Sequence, residues 1–358
     1  MDLFFSFGEL STTCGLSVGT KKIAKELPPK MARRPSRKRW RLLRTGLTSL
    51  ACVAAIVYGR TVYRFVHDVS PEEVWIVAQS GPGRLGNQMF QFASALGVYE
   101  HRRRQQQLSN NLRQDLVRFC IDPTNPFPFA NIFEGPFVTC PSEILNSIEH
   151  LPEKGYGIYT EFDTTSCGGR STCVFAVGPY LQSYRYLQFA GKSIRSSFRF
   201  RSNIHDRAQK ILHGVRTNAA TAVVGIHVRR GDVEFVPYLR TAPSSFFVHA
   251  MRHFVSRLGN DGVAFVLASD DVDWCKSQGT LFNEGVTILE TGDAALDLAV
   301  LSMTDHMVVS VGTFGWWAAF LGAGDVVYYK DAIVMEHPTN KNQINLNDYY
   351  PSIWTGLS

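Results

Sequence analysis

The residues able to do chemistry gather in three glycine-bearing segments. The first is Gly225–Asp232, GIHVRRGD, where an apolar run ends in His227, Arg229, Arg230 and Asp232. Alternate residues of a strand share a face, which puts His227 and Arg229 on one side. Two guanidiniums beside an imidazole suit a pyrophosphate, because each guanidinium donates paired, charge-assisted hydrogen bonds to phosphate oxygens. Asp232 would hold one arginine by an ion pair. A buried ion-pair network is the bland alternative, and it gives little net stability after desolvation. Arg230-Gly231-Asp232 is also an adhesion tripeptide, but such a loop should be exposed, whereas this one directly follows a core strand. The phosphate site is the favoured reading.

The second segment is Gly81–Gln88, GPGRLGNQ. Its glycines let backbone approach a ligand, and the helix that follows offers its N-terminus to negative charge. It is not a G-x-G-x-x-G motif, and a tight connection explains the glycines equally well. The third is Val311–Trp317, VGTFGWW. Thr313 is expected to cap a helix, or to direct its hydroxyl and the first-turn amides at a phosphate. Trp316 and Trp317 read as packing. Two metal arrangements are weak: Asp271-x-Asp273 reads as a strand-end turn and helix cap, and the His249/His253 pair lacks a third ligand.

These segments need strands and helices to place them. Val74–Ala78 reads as a buried strand, followed by a helix with Met89, Phe92, Ala93 and Leu96 on one face and a solvated end, HRRRQQQ. Residues 119–173 are rich in Pro, Gly and Asn, as loops and short strands are. Strands are then predicted at Ala222–Val228, Val263–Ser269, Val286–Leu289, His306–Ser310 and Asp325–Tyr329. Helices are predicted at Ser244–Leu258, Ala294–Met303 and Thr313–Leu321. This alternation specifies an α/β fold with a parallel, doubly wound sheet. Ligands bind such sheets beyond the carboxyl ends of the strands, where the unusual residues fall.

The chain has 358 residues and 45% apolar content, which excludes a disordered chain. Its formal charge of +6 is unevenly spread: residues 1–64 carry +10 and the remainder −4. A groove for nucleic acid is therefore not expected. The cluster Arg33, Arg34, Arg37, Lys38, Arg39, Arg41 and Arg44 precedes Thr45–Gly59, 15 residues without a charge. That is shorter than the ~20 residues of a spanning helix, but Arg44 and Arg60 can snorkel from its ends. The flanking charge orients it as a single-pass type II anchor with the rest of the chain translocated. Residues 1–30 show no periodicity, and Met31 is a possible second start. Five cysteines lie beyond the anchor, in what would be an oxidising lumen, with Cys167 and Cys173 the most plausible local pair. There is no N-x-[ST] sequon.

Six stretches together resemble the animal galactoside α-1,2-fucosyltransferase family. They are GRLGNQMFQFASAL (83–96), GPYLQSYRYL (178–187), GIHVRRGD (225–232), LASDDVDWCK (267–276), DLAVLSMTDHMVVSVGTFGWWAAFLGAGDVVYY (297–329) and NDYYPSIWTG (347–356). The H-x-R-R-x-D motif alone indicates only GDP-fucose chemistry, and the longer strings favour the α-1,2 family. The chain departs from the family pattern in its long N-terminal extension and in Gly178-Pro179-Tyr180, the latter on the acceptor side.

The resemblance implies a GT-B fold, with two Rossmann-like domains facing across a cleft after a single N-terminal transmembrane helix. The expected division is a basic cytoplasmic tail (1–44), an anchor (45–63), a short stem (64–73), an acceptor-side domain (74–215) and a donor domain (216–358). It implies metal-independent, inverting transfer of fucose from GDP-fucose to the 2-hydroxyl of a terminal galactose on a glycan, at the Golgi membrane with the catalytic domain lumenal. No cofactor beyond the donor substrate is expected. A leaving GDP gains negative charge, which Arg229 is placed to meet, with Arg230 sharing that role or pairing with Asp232. His227 would bond a phosphate or the fucose. Gly86 and Asn87 would approach from the other domain, Thr313 and Phe314 would line the β-phosphate and sugar pocket, and Asp270 would contact guanine or ribose. Glu161, Asp163 and Glu234 lie in plausible loops, but none is assigned as a base. The competing readings are a fucosyltransferase for another acceptor and an inert, anchored glycan-binding protein.

Overall fold

A computed structural model of the chain describes residues 72–108, 116–164, 167–168, 170–216, 222–259, 262–282 and 285–358. The basic tail, Met31, the 45–63 anchor and nearly all of the stem lie outside these residues. Among the described residues no helix is long and apolar enough to cross a membrane.

Glu73–Ala78 (β1), Leu116–Ile121 (β2), Ile148–Pro152 (β3) and Thr172–Gly178 (β4) form a parallel sheet in the order β2-β1-β4-β3. The central strands, EVWIVA and TCVFAVG, are near-continuous apolar runs, as strands covered on both faces must be. The second sheet holds Ala222–Val228 (β5), Val263–Ser269 (β6), Val286–Ile288 (β7), His306–Val309 (β8), Val326–Tyr329 (β9) and Thr355–Leu357 (β10). It is also wholly parallel, in the order β10-β9-β8-β5-β6-β7. Strand β5, buried along its whole length, pairs with β6 on one side and β8 on the other. The winding reverses there, so the crevice beyond its carboxyl end is where a ligand is expected.

The predicted alternation matches the second sheet closely. Strands β5 and β6 and the helices Ser244–Leu258 and Thr313–Leu321 have the bounds read from sequence. The other four predicted elements there each prove one residue shorter.

Helix α1, Leu85–Leu108, corrects the one-faced expectation, because every residue from Met89 to Val98 is buried. It is enclosed between β1 and β2, the helix Tyr184–Ser197 (α2) and the helix Thr313–Leu321 of the second sheet. Phe90 meets Trp316 and Trp317 at ring-centroid distances of 4.5 and 5.0 Å, and neither indole is exposed. The tryptophans are packing, and they make one core of both sheets. The HRRRQQQ end is only partly solvated: Arg103, Arg104 and Gln107 are exposed, while Arg102 is buried on the turn that follows Val98.

Cys167 and Cys173 are bonded to each other. A second disulfide, Cys120–Cys140, joins the end of β2 to a loop 20 residues on. Cys275 is a buried thiol.

Candidate active site

The end of β5 is pinned before its side chains diverge. The Arg229 amide donates to Ser310 Oγ at 2.9 Å, and the Ser310 amide donates to the His227 carbonyl at 3.2 Å. These bonds tie β5 to the chain leaving β8. Arg229 then donates from Nε and Nη2 to the two carboxylate oxygens of Asp232, at 3.1 and 2.9 Å. Asp232 lies in the short 3-10 segment Gly231–Phe235, so sequence spacing alone brings it back to Arg229. The same carboxylate accepts from Nη2 of Arg84, at 2.7 Å, out of the loop before α1. The Arg229 hydrogen bonds, reinforced by both guanidinium charges, hold the Asp232 carboxyl below its ordinary range.

Two helix N-termini meet beside this cluster. Helix Thr313–Leu321 is capped by Gly312, whose φ of +90° lies in the left-handed region. A Cβ at Gly312 would also stand 2.4 Å from Arg229 Nη1, so both dihedral and space require glycine. Thr313 is therefore not the cap expected from sequence. Gly312 takes that place, and the Thr313 hydroxyl donates to Asn87 Oδ1 at 2.8 Å. Gly86, in the first turn of α1, abuts this helix start. A Cβ there would lie 2.6 Å from Thr313 Oγ1 and 2.8 Å from the Phe314 amide nitrogen. The positive ends of both helix dipoles thus converge where Arg229 emerges.

His227 is buried, its ring stacked on Phe314 at 5.6 Å. Its Nδ1 packs against Gly315 and has no hydrogen-bond partner among the described residues. Burial, reinforced by the Arg229 charge, pushes its pKa down to about 3. The imidazole is therefore neutral at physiological pH, and Nε2 is the nitrogen available to a ligand.

A cleft of about 340 Å³ collects Gly86, His227, Arg229, Asp270, Thr313 and Phe314 of the expected site, together with Arg84, Asp293 and Asp297. A second cavity of about 320 Å³ contains Asn87, Tyr156, Tyr180, Gln182 and Tyr238. Arg229 and Thr313 line both. Asn87 thus faces the second cavity, its Oδ1 shared between Thr313 and the Gln182 amide at 3.2 Å.

Arg230 stands apart. Its guanidinium lies 4.1 Å over the Trp274 ring, pairs with Glu234 and reaches Asp271 at 3.5 Å. It lines neither cavity, and its amide donates to Asp270 Oδ1 at 2.9 Å. Asp232 accordingly pairs with Arg229 and not with Arg230. That double engagement of its carboxylate also disfavours the adhesion reading. Glu161 and Asp163 line neither cavity, and Glu234 is committed to Arg230. Asp271 caps the helix Val272–Ser277 by accepting from the Trp274 amide, as its position in sequence suggests. Among the described residues no group of three or more His, Cys, Asp and Glu is arranged to hold a metal ion.

Sequence reasoning missed Arg84, although it stands inside GPGRLGNQ, because its partner Asp232 is 148 residues away. It also gave no role to Ser310, Gln182, Tyr156 or Tyr238, although Ser310 and Gln182 stand inside family-like stretches; Tyr180 it placed on the acceptor side.

The model of glycosyl transferase family 11 matches residues 170–358, more than half of the chain, which include His227, Arg229, Asp232, Asp270, Thr313 and Phe314 of this site. The chain belongs to glycosyl transferase family 11. The part of family 11 represented here is similar to the human galactoside alpha-(1,2)-fucosyltransferase 1, at 27% identity over 278 residues, 73% of this chain and 69% of that one. It is 31% identical over 163 residues to the bovine galactoside 2-alpha-L-fucosyltransferase SEC1, 42% of each chain. Among solved structures, POFUT1 in complex with GDP overlaps 73% of this family 11 chain and 99% of its own, with a TM-score of 0.47 and 14% identity. The NodZ alpha-1,6-fucosyltransferase soaked with GDP-fucose overlaps 73% and 96%, with a TM-score of 0.44 and 16% identity.

Proposed function

We propose that the protein is a galactoside α-1,2-fucosyltransferase, moving fucose from GDP-fucose to the 2-hydroxyl of a terminal galactose with inversion and without a metal. One observation carries this reading: Arg229, clamped by Asp232, lies at the abutting starts of two helices and lines both of two adjoining cavities. A donor in the first cavity and an acceptor in the second would then react across Arg229.

In this reading the pyrophosphate lies against Arg229 and the first-turn amides of helix Thr313–Leu321. As the bond from the anomeric carbon to the β-phosphate oxygen breaks, the departing GDP gains charge and the sugar becomes oxocarbenium-like. Fixed cations and amide dipoles stabilise that charge without reorganising. Arg84 adds a second cation at the cleft. Neutral His227 bonds a phosphate oxygen or the fucose through Nε2, and Phe314 holds its ring in place. Asp270 faces the nucleoside. The galactose enters the second cavity, where Asn87 and Gln182 supply polar groups and the tyrosines supply apolar faces. Arg230 acts as a support, fixing the turn that contains Asp232 through Glu234 and Asp271.

We extend the proposal to organisation. The two sheets would be the halves of a GT-B fold, residues 74–215 on the acceptor side and 216–358 on the donor side. The segment 45–63 would anchor the chain in the Golgi membrane as a type II protein, and the two disulfides support a lumenal, oxidising setting.

The test is GDP release by the full-length protein in detergent, supplied with GDP-fucose, with and without a β-galactoside, in excess chelator. Galactoside-dependent release that survives chelation is expected. Release only with another acceptor would remove the galactose assignment, and no release by folded protein would favour a glycan-binding role.

A further inference from the structure

The wall of the second cavity nearest the first sheet is an unusual piece of backbone. Strand β4 ends at Gly178, whose φ is +137°, and Leu181 sits at φ +55°, in the left-handed region that branched side chains avoid. Two non-helical reversals in four residues need outside support. Glu153 supplies it. This residue directly follows β3, and its carboxylate oxygens accept from the Tyr180 amide at 2.8 Å and the Leu181 amide at 2.6 Å. Ser94 of α1 donates to the Leu181 carbonyl at 2.8 Å, and the Leu181 side chain is buried.

The clamp feeds directly into the cavity. Tyr180 and Gln182 flank Leu181, and both line it. The Gln182 amide nitrogen donates to the Tyr156 carbonyl at 2.7 Å, and its side chain reaches Asn87. Tyr156 Oη in turn donates to Asn340 Oδ1 at 2.8 Å, and Asn340 bonds the Tyr238 carbonyl at 2.7 Å. Three cavity tyrosines and the Gln182–Asn87 bond therefore hang on the conformation of residues 178–182.

We propose that Glu153 is a positioning residue for the acceptor: by holding the Pro179–Gln182 turn, with Leu181 in its left-handed conformation, it sets the galactoside specificity of the tyrosine-lined cavity. This rests on the transferase reading above. Both carboxylate oxygens of Glu153 are committed to backbone amides, so it acts through Tyr180 and Gln182 and takes no proton from the acceptor. A rigid, preformed aromatic wall suits the apolar face of a pyranose, and the Gln182–Asn87 pair suits its hydroxyls.

The test compares full-length wild type with Glu153→Gln and Tyr180→Ala. Glu153→Gln replaces one accepting oxygen by an amide donor, which faces a backbone N–H. Its acceptor KM should rise at least about tenfold, while the donor KM and acceptor-independent GDP-fucose hydrolysis stay within about twofold, as displaced positioning predicts. Glu153→Asp, with the carboxylate retained, should recover part of the loss. Tyr180→Ala should raise acceptor KM alone, and the double variant should be less than additive. If Glu153→Gln leaves acceptor KM untouched, or raises donor KM and hydrolysis in step with it, the proposal is overturned. Should Glu153→Gln fail to fold, Tyr180→Ala with no change in acceptor KM overturns it as well. Wild type without any galactoside-dependent release would sink the transferase reading itself, and the proposal with it.

Discussion

Arg229 and Asp232 form a two-point ion pair, Nε to Oδ1 at 3.1 Å and Nη2 to Oδ2 at 2.9 Å, across a single turn of chain. The pair fixes the plane of the guanidinium. Arg229 is about one-fifth exposed and Asp232 about half exposed, so the pair adds little to stability and much to orientation. Replacing Arg229 by Ala should lower kcat/KM for GDP-fucose at least about 100-fold, as loss of one charge-stabilising donor does elsewhere. Arg229→Lys keeps the charge but loses the planar fork, and should recover only a small part. Steady-state kinetics with a thermal melt on each variant checks this, the melting temperature being expected to stay within a few degrees.

Asp232→Asn tests orientation apart from charge. The one amide oxygen can still accept from both Nη2 groups, but the acceptor for Arg229 Nε and the negative charge are gone, so the two-point hold on the guanidinium is lost and the Arg84 pair is weakened. The expected result is about a 10-fold or greater loss in kcat/KM. Combined with Arg84→Ala, the loss should be less than the product of the single losses, since the two residues meet at one carboxylate. Additive losses in that cycle would contradict the shared clamp.

Gly86 and Gly191 should respond oppositely to alanine. In α2, a Cβ at Gly191 meets nothing within 4 Å, so Gly191→Ala should stabilise the protein by about 0.5–1 kcal/mol through helix propensity. At Gly86 the same change drives a Cβ into the backbone of Thr313 and Phe314. Overpacking of this kind costs about 1–3 kcal/mol and would part the two helix starts. Urea denaturation of both variants, with GDP binding measured by calorimetry, should show stability and affinity falling together for Gly86→Ala alone.

His227 makes a prediction about pH. Its folded pKa of about 3 lies below the ordinary value of 6.5, so the unfolded chain binds the extra proton between those limits. Stability therefore falls as pH drops through that window, by up to about 1.4 kcal/mol per unit, and is insensitive to this residue above 6.5. The His227 ring resonances should not titrate between pH 5 and 8. Any activity limb in that range should persist in His227→Gln, whatever its residual rate. A His227 titration midpoint near 6.5 would refute the neutral, buried assignment.

Much of this protein was legible in one dimension because parallel strands buried on both faces leave continuous apolar runs. The bounds of β5 and β6 and of two second-sheet helices could be read directly, and with them the abrupt polar ending HVRRGD. Composition and periodicity also indicated that Trp316 and Trp317 pack, and that Asp271 caps a helix. Three-dimensional structure decided which charges belong together. Arg229 and Arg230 are neighbours of identical type; strand alternation puts them on opposite sides, but only the structure shows the partner of each, Asp232 and the cleft for one and Trp274 for the other. Arg84 joins the clamp across 148 residues, and Glu153 holds a turn 27 residues on. Such long-range partners carry no periodicity and no local spacing. The Arg84–Asp232 bond exists only once packing of α1 against helix Thr313–Leu321 has brought the two sheets together, and the Glu153 bonds only once β3 and β4 pair with Pro152 beside Gly178, because hydrogen-bond distances are set by the sum of every fold angle between the partners.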